Sequence, residues 1–242
     1  MPSYAIISDV HSNLEALHSV LKEIDKERVT ALFFLGDAVG YGHDPNTCTE
    51  ILRSAAKVFI AGNHDRGAVG LTDLSFFNTY AKVAIDWTRD VLTDKNREFL
   101  KSLPLTCEVE EENIFLVHGS PKDPERWHYL EGKKSAVKNF PYFQQNYCFA
   151  GHSHIPFIAE QSNNGETVLY HTSAEIRDDC RYIINTGSVG QPRDGNPDAC
   201  YVIFRSNLIE IKRVPYDILL AQKKMKAAGL PEHLITRLAK GR

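Results

Sequence analysis

Three short apolar runs, each cut off by a polar cluster and separated by a helix-length segment, set the plan of this chain. Tyr4-Ala5-Ile6-Ile7 gives way to Ser8-Asp9-Val10-His11, and Ala31-Leu32-Phe33-Phe34-Leu35 to Gly36-Asp37. Lys57-Val58-Phe59-Ile60 leads through Ala61-Gly62 to Asn63-His64-Asp65. After the first run, Leu14, Leu17, Leu21 and Ile24 recur at helical spacing, and Ser12 with Glu15 reads as a capping box, which predicts a helix over roughly 13–27. After the second, Asp44-Pro45 reads as an N-cap followed by proline at the first helical position, with Cys48, Ile51, Leu52 and Ala55 facing inward. A β-α-β-α-β beginning predicts a parallel sheet with right-handed crossovers. Successive strand ends of such a sheet share one edge, where α/β proteins bind their ligands. Asp9/His11, Asp37 and Asn63/His64/Asp65 therefore belong to one edge.

The rhythm then changes. Phe76, Tyr80, Val83, Ala84, Trp87 and Val91 form a helical stripe, and Thr93 caps a shorter helix with Phe99 and Leu100 that stops at Pro104. This predicts a helical hairpin inserted over 71–104. Such a stripe normally faces core, and beside the strand ends it can also wall a cleft. Ile114–Val117 and Tyr147–Ala150 read as further strands, ending in His118-Gly119-Ser120-Pro121 and Gly151-His152-Ser153-His154; 124–139 between them reads as loop with some helix. Strands at 157–160, 167–170, 182–185, 199–204 and 208–211, parted by turns such as Asn163-Asn164-Gly165, predict a largely antiparallel second half. A terminal helix pair over 215–242 breaks at Gly229-Leu230-Pro231, and the whole chain reads as a single α/β domain.

Composition excludes several partners. A formal charge of −3 over 242 residues offers no general attraction for nucleic acid or anionic lipid, so anion recognition has to be local. No apolar stretch approaches the roughly 18 residues of a membrane span, and the amino terminus lacks the basic region of a signal peptide. Five scattered cysteines without a Cys-x-x-Cys pair read as thiols in a reducing cytoplasm.

The polar residues at strand ends are Asp9, His11, Asp37, Asn63, His64, His118, His152 and His154. A lone histidine in such a place is an ordinary edge residue. Five of the chain's ten, joined by two aspartates and an asparagine, point to a metal centre. Nitrogen and oxygen donors without thiolate suit Mn, Fe, Zn, Co or Ni better than Mg or Ca. Eight donors are too many for one ion with an open position. Two ions about 3.5–4 Å apart, sharing a carboxylate, are the economical arrangement. Their charge exceeds that of the two aspartates, so the centre would attract phosphate and activate water, which implies metal-assisted hydrolysis of a phosphoester.

Asp9-x-His11, Gly36-Asp37, Gly62-Asn63-His64-Asp65, His118 and Gly151-His152-x-His154 together resemble the motif series of the calcineurin-like metallophosphoesterases, in that family's order. The resemblance implies a four-layer α/β/β/α sandwich of two mixed sheets. It also implies that Asp9, His11 and His154 hold one metal, that Asn63, His118 and His152 hold the other, and that Asp37 bridges them. His64 would then give the proton to the leaving oxygen, oriented by Asp65, because a metal-bound nitrogen cannot shuttle one. More weakly, 185–195 resembles the Gly-Ser-Val-Gly-x-Pro-Arg loop of small bacterial and archaeal members, with Thr186 where proline is frequent. That likeness brings backbone N–H groups and Arg193 to the substrate's phosphate. The hairpin and the Gly229-Leu230-Pro231 segment are similar to the phosphodiesterase subgroup that includes diadenosine tetraphosphate hydrolase-like proteins.

The implied activity is hydrolysis of phosphodiester or phosphoanhydride bonds in nucleotide-like substrates by in-line attack of a metal-bridging hydroxide. Manganese is the favoured metal, with Fe, Zn, Ni or Co as alternatives. Phe76, Phe77, Tyr80 and Tyr41 are available to stack on a base. Competing readings are a phosphomonoesterase, a cyclic-nucleotide phosphodiesterase, and a non-catalytic interaction scaffold, the last opposed by the presence of His64 and all seven ligands. His43 is expected to be solvated in its loop, with a place in the cleft as the alternative.

Overall fold

A computed structural model describes residues 2–242; the side chain of Phe76, and with it the stacking role expected there, lies outside the described residues. Among the described residues twelve strands form two six-stranded sheets. The first runs β3 (Ala56–Phe59), β2 (Ala31–Phe34), β1 (Ser3–Ile7), β11 (Ala199–Arg205), β12 (Leu208–Val214), β9 (Ser173–Glu175). The second runs β4 (Thr106–Val109), β5 (Ile114–Val117), β6 (Tyr147–Ala150), β10 (Cys180–Asn185), β7 (Phe157–Ser162), β8 (Thr167–Tyr170). β1, β2 and β3 are parallel neighbours, as are β5, β6 and β10. The strands from β7 onward otherwise pair antiparallel.

The central strands are apolar on both faces because both are covered. Ile6, Phe33, Phe149, Ile184 and Phe204 fill the space between the sheets. Ala5, Ile7, Leu32 and Phe34 turn the other way, against α1 (Leu14–Glu27) and α2 (Pro45–Ala55). On the far side Phe157, Ala159 and Ile183 meet Ala136 of α6 (Lys133–Asn139). The result is the α/β/β/α sandwich.

The inserted segment holds α4 (Thr79–Val91) and α5 (Asp94–Lys101), preceded by α3 (Asn63–Ala68). The terminal pair is α7 (Ile218–Ala227) and α8 (Glu232–Leu238). Ala81 and Ala84 of α4 share a buried cluster with Ala221, Met225, Leu234, Ile235 and Leu238, and Tyr41 closes it. Insertion and terminal helices thus meet over the loop after β2.

Three local features differ from expectation. The first helix starts at Leu14 with Asn13 as its cap, accepting from Ala16 N at 3.2 Å. Ser12 cannot cap, because hydrogen bonding of its N–H to Ala38 O holds it at φ 57°. The residues after Gly62, for which no helix was expected, form α3. Strands β4 and β9 carried no signal, being four and three residues long at or near sheet edges. Among the described residues no helix is long and apolar enough to cross a membrane. The five cysteines are unpaired and four are buried.

Candidate metal centre and cleft

The strand ends reach one point through unusual backbone. Asp9, His11, Asp37, His152 and His154 all have φ between 49° and 64°, the left-handed region that non-glycine residues avoid. Each such residue costs on the order of 1–3 kcal/mol and persists only where neighbours dictate it. Here they do. Asp9 N donates to Gly36 O at 3.0 Å, His11 N to Asp37 O at 2.9 Å, and Gly190 N to Asp9 O at 2.9 Å.

The side chains converge accordingly. Asp9 Oδ1 lies 3.1 Å from His154 Nε2 and 3.6 Å from His11 Nε2. Asp37 Oδ2 lies 3.6 Å from His11 Nε2 and 3.3 Å from His118 Nε2, between the two groups. Asn63 Oδ1 is 3.2 Å from His118 Nε2. His152 offers a ring nitrogen within 4.8 Å of donors from Asp37 and His118. All eight strand-end residues are buried.

Three imidazoles have their outer nitrogens committed. Nδ1 of His11, His118 and His154 meets the carbonyls of Val39 (3.1 Å), Leu35 (2.8 Å) and Gln191 (2.6 Å). A carbonyl only accepts, so these nitrogens carry the proton, and in a neutral ring Nε2 presents a lone pair. His11 Nε2 and His154 Nε2 then face one another at 3.1 Å, beside an Asp9 oxygen that has no hydrogen-bond donor. Converging lone pairs repel unless a cation lies among them. The donor set therefore fits metal: Asp9/His11/His154, His11/Asp37/His64 and Asp37/His118/His152 each bring three donor atoms together, with Asp37 common to the last two.

Electrostatics agree. Burial pushes Asp37 up, but His118, His64 and His11 outweigh it and hold the carboxyl well below the usual range. Burial lowers His118, yet Asp37 and Asp9 raise it to about 9, while burial takes His152 and His154 down to about 3. Without cations a proton on His118 offsets only part of the charge of the two aspartates, and metal binding must expel it.

Asp65 does not orient His64. At the third position of α3 its carboxylate folds back onto the helix start, accepting from Asp37 N (2.7 Å), Gly62 N (3.0 Å) and Val39 N (3.2 Å). It fastens the β2 and β3 exits together. His64 is held by packing: its ring meets Tyr41 at 4.4 Å, His11 at 4.8 Å and Phe77 at 5.1 Å, and its Nδ1 is buried without a partner. Asp37 Oδ1 accepts from His64 N at 2.8 Å. Tyr41 thus packs on His64 while also lining the cleft.

Gly62 matters through close approach. A Cβ there would lie 2.0 Å from Asp37 Oδ1 and 2.4 Å from Asp37 N. Gly62→Ala is expected to displace Asp37, costing about 1–3 kcal/mol as overpacking usually does. It should also release metal. Thermal denaturation and metal analysis check this; unchanged metal content would rule out the tight Gly62–Asp37 fit as a requirement.

The centre opens into a cleft of about 880 Å³ between the insertion, with Leu71, Phe77 and Ala81, and a second wall of Arg126, Trp127 and Tyr129. Tyr129 stacks on His152 at 4.2 Å, and Trp127 meets His118 edge-on at 5.8 Å. Sequence left that second wall unassigned because it has no periodicity. Tyr80 instead stacks on His233 of α8. Arg193 lines the cleft, donates to Gln191 Oε1 at 2.9 Å, lies 5.6 Å from the Tyr41 ring, and has no ion-pair partner among the described residues. The amides of Val189 and Gly190 are not free for phosphate, since they donate to Ser8 O and Asp9 O and bind the loop to the end of β1. Thr186 N donates to Ala150 O at 2.8 Å, a bond that proline could not make. His43 is in neither expected place: it is absent from the cleft lining, and its side chain is 4% exposed.

A family model of the calcineurin-like phosphoesterase superfamily domain matches residues 3–207. An uncharacterized protein of Methanocaldococcus jannaschii is 44% identical, over 98% of each chain. The crystal structure of a metallophosphoesterase from Sphaerobacter thermophilus is 39% identical, with a TM-score of 0.87 over 100% of this chain and 99% of that one. A hypothetical protein from Pyrococcus horikoshii OT3, 20% identical, shares the fold at a TM-score of 0.81 over the same shares.

Proposed function

The chain belongs to the calcineurin-like phosphoesterase superfamily and is a phosphoester hydrolase, and on that premise we propose that it uses two transition-metal ions to cleave phosphodiester or phosphoanhydride bonds of small nucleotide-like substrates. The observation that carries this reading is the facing pair of Nε2 atoms at 3.1 Å beside Asp9, with Asp37 between them and the second histidine group. Asp9, His11 and His154 would hold one ion and Asn63, His118 and His152 the other, with Asp37 shared. Such ions, when bound, polarise a phosphoryl oxygen and supply a water nucleophile at neutral pH. Imidazole donors favour a first-row transition metal over magnesium, and the mixed imidazole and carboxylate set still admits manganese, the ion to supply first.

This chain's residues do the rest. Arg193, unpaired and pointing into the cleft lining, would grip a phosphate oxygen pair. His64 would protonate the leaving oxygen. Phe77, Trp127 and Tyr129 offer apolar faces to a base, and the cleft volume suits a ligand of nucleotide size. Five unpaired thiols favour a reducing compartment, which supports a cytoplasmic location.

The test is a manganese-supplemented panel of dinucleoside polyphosphates, cyclic nucleotides, generic diesters and monoesters. A nucleotide diester or anhydride should give the highest kcat/KM, and preference for monoesters would sink the substrate reading. On the best substrate, Arg193→Ala should lower kcat/KM about 10–100-fold, the usual worth of a hydrogen bond to a charged group. A KM and kcat equal to wild type would remove Arg193 from the binding site.

A further inference from the structure

His43 was expected to be solvated in its loop, yet its side chain is turned away from solvent, outside the cleft. Its Nε2 lies 3.1 Å from Glu15 Oε2 and 3.0 Å from Asp44 Oδ2. Neither ring nitrogen forms a hydrogen bond, and Glu15 Oε2 also lacks a donor. The imidazole is thus wedged between two carboxylate oxygens without an aligned bond to either. Bonds of about 2.1 Å at right angles put neighbouring metal donors roughly 3.0 Å apart, which is the spacing seen here. The three donor atoms lie within 4.8 Å of one another.

We propose that Glu15 Oε2, His43 Nε2 and Asp44 Oδ2 form a separate cation site for a borderline divalent metal such as Zn²⁺, Co²⁺ or Mn²⁺, with Lys224 as its built-in competitor. One imidazole and two carboxylates match that class. Lys224 Nζ lies 2.5 Å from Glu15 Oε1 and 3.1 Å from Asp44 Oδ2, the same Asp44 oxygen that faces the histidine, so the ammonium and an incoming cation compete for it. It is 37% exposed, so the ammonium can swing into solvent when a dication enters. The donors come from the first turn of α1 and from the loop that carries Tyr41, and the competitor comes from α7. Gly42 N, His43 N and Asp44 N donate to His11 O and Ser12 O, so the loop's backbone is already fixed and only the side chains need adjust. A cation here braces the segment against which His64 packs without touching the reacting atoms.

The experiment strips the full chain with chelator, reloads it with excess Co²⁺, removes loosely held metal by gel filtration, and compares wild type with His43→Ala and Lys224→Met. His43→Ala should hold one equivalent fewer than wild type while keeping phosphoesterase turnover within about twofold. Lys224→Met should bind that equivalent at least about tenfold more tightly, because a cation beside the site is gone. Glu15→Gln, equal in size, gives the same reading should His43→Ala fail to fold. Equal metal content in the wild type and the folded variant, or an unchanged affinity in Lys224→Met, would overturn the site. Because the readout is a difference of one equivalent, it stands or falls independently of how many ions the strand-edge centre holds.

Discussion

Asp37→Ala is expected to leave the strand-edge centre unable to retain metal and to lower phosphoesterase turnover by about 10²–10³-fold, the scale of losing one preorganised charge-stabilising group. Asp37 Oδ2 sits between His11 Nε2 and His118 Nε2, so its removal takes a donor from both groups at once. It also removes the acceptor of His64 N. Asp37→Asn separates the two losses, since an amide oxygen can still accept that hydrogen bond. If metal holding is what matters, both variants lose it alike. In chelator, where burial opposes the charge, the histidines that hold the Asp37 carboxyl well below its usual range are still present, so Asp37→Asn should melt lower than wild type even without metal, although relief of Asp65, which burial and the Asp37 charge lift to about 7, offsets part of the loss. The gap should widen when metal is present. With metal at a hundred times its dissociation constant, wild type should gain about 2.7 kcal/mol per site and the variant none. Metal analysis finding the wild-type complement in Asp37→Ala would end the bridging assignment.

What sequence could reveal here followed from periodicity. Apolar runs that stop abruptly place their next residues at a sheet edge whatever the details, so Asp9, His11, Asp37, Asn63, His118, His152 and His154 came together without any side-chain geometry. The same reasoning failed where the deciding contact was distant in sequence. Tyr41 looked free to stack because nothing local showed that α4 and α8 would bury it against His64. Asp65 looked like a partner of His64 because they are adjacent. Adjacent residues of a helix do not face each other, and Asp65 instead reached back to three amides. Glu15 looked like a capping glutamate until the left-handed backbone at Ser12 moved the helix start one residue on. In each case a contact distant in sequence redirected a side chain that local rules had assigned.

His64→Ala is expected to keep the wild-type metal complement while kcat falls about 10²–10⁴-fold, the range for a positioned general acid. The loss should depend on the leaving group. A nitrophenolate departs without help, so its hydrolysis should fall least, and an alkoxide or nucleoside leaving group should suffer most. The pH profile carries the sign. Burial, the largest influence, puts the free imidazole well below its usual range, against the opposing pull of Asp37. A general acid works only while protonated, so its contribution to kcat/KM is present at low pH and is lost as pH rises through that lowered value. Bound phosphate adds negative charge beside the ring, which favours the imidazolium, so the matching limb in kcat should lie at higher pH than the limb in kcat/KM. Both limbs should vanish in His64→Ala. His64 also touches His11, a metal-side residue, so packing alone could disturb the centre. His64→Asn, which keeps a polar planar group and the backbone N–H to Asp37, controls for that. If it retains metal, loses the alkaline limb and shows the same leaving-group dependence, the proton comes from the ring. Wild-type turnover on an alkyl phosphodiester in either variant would assign the proton to another group, and Asp65, tied to three backbone amides, is not placed to give it.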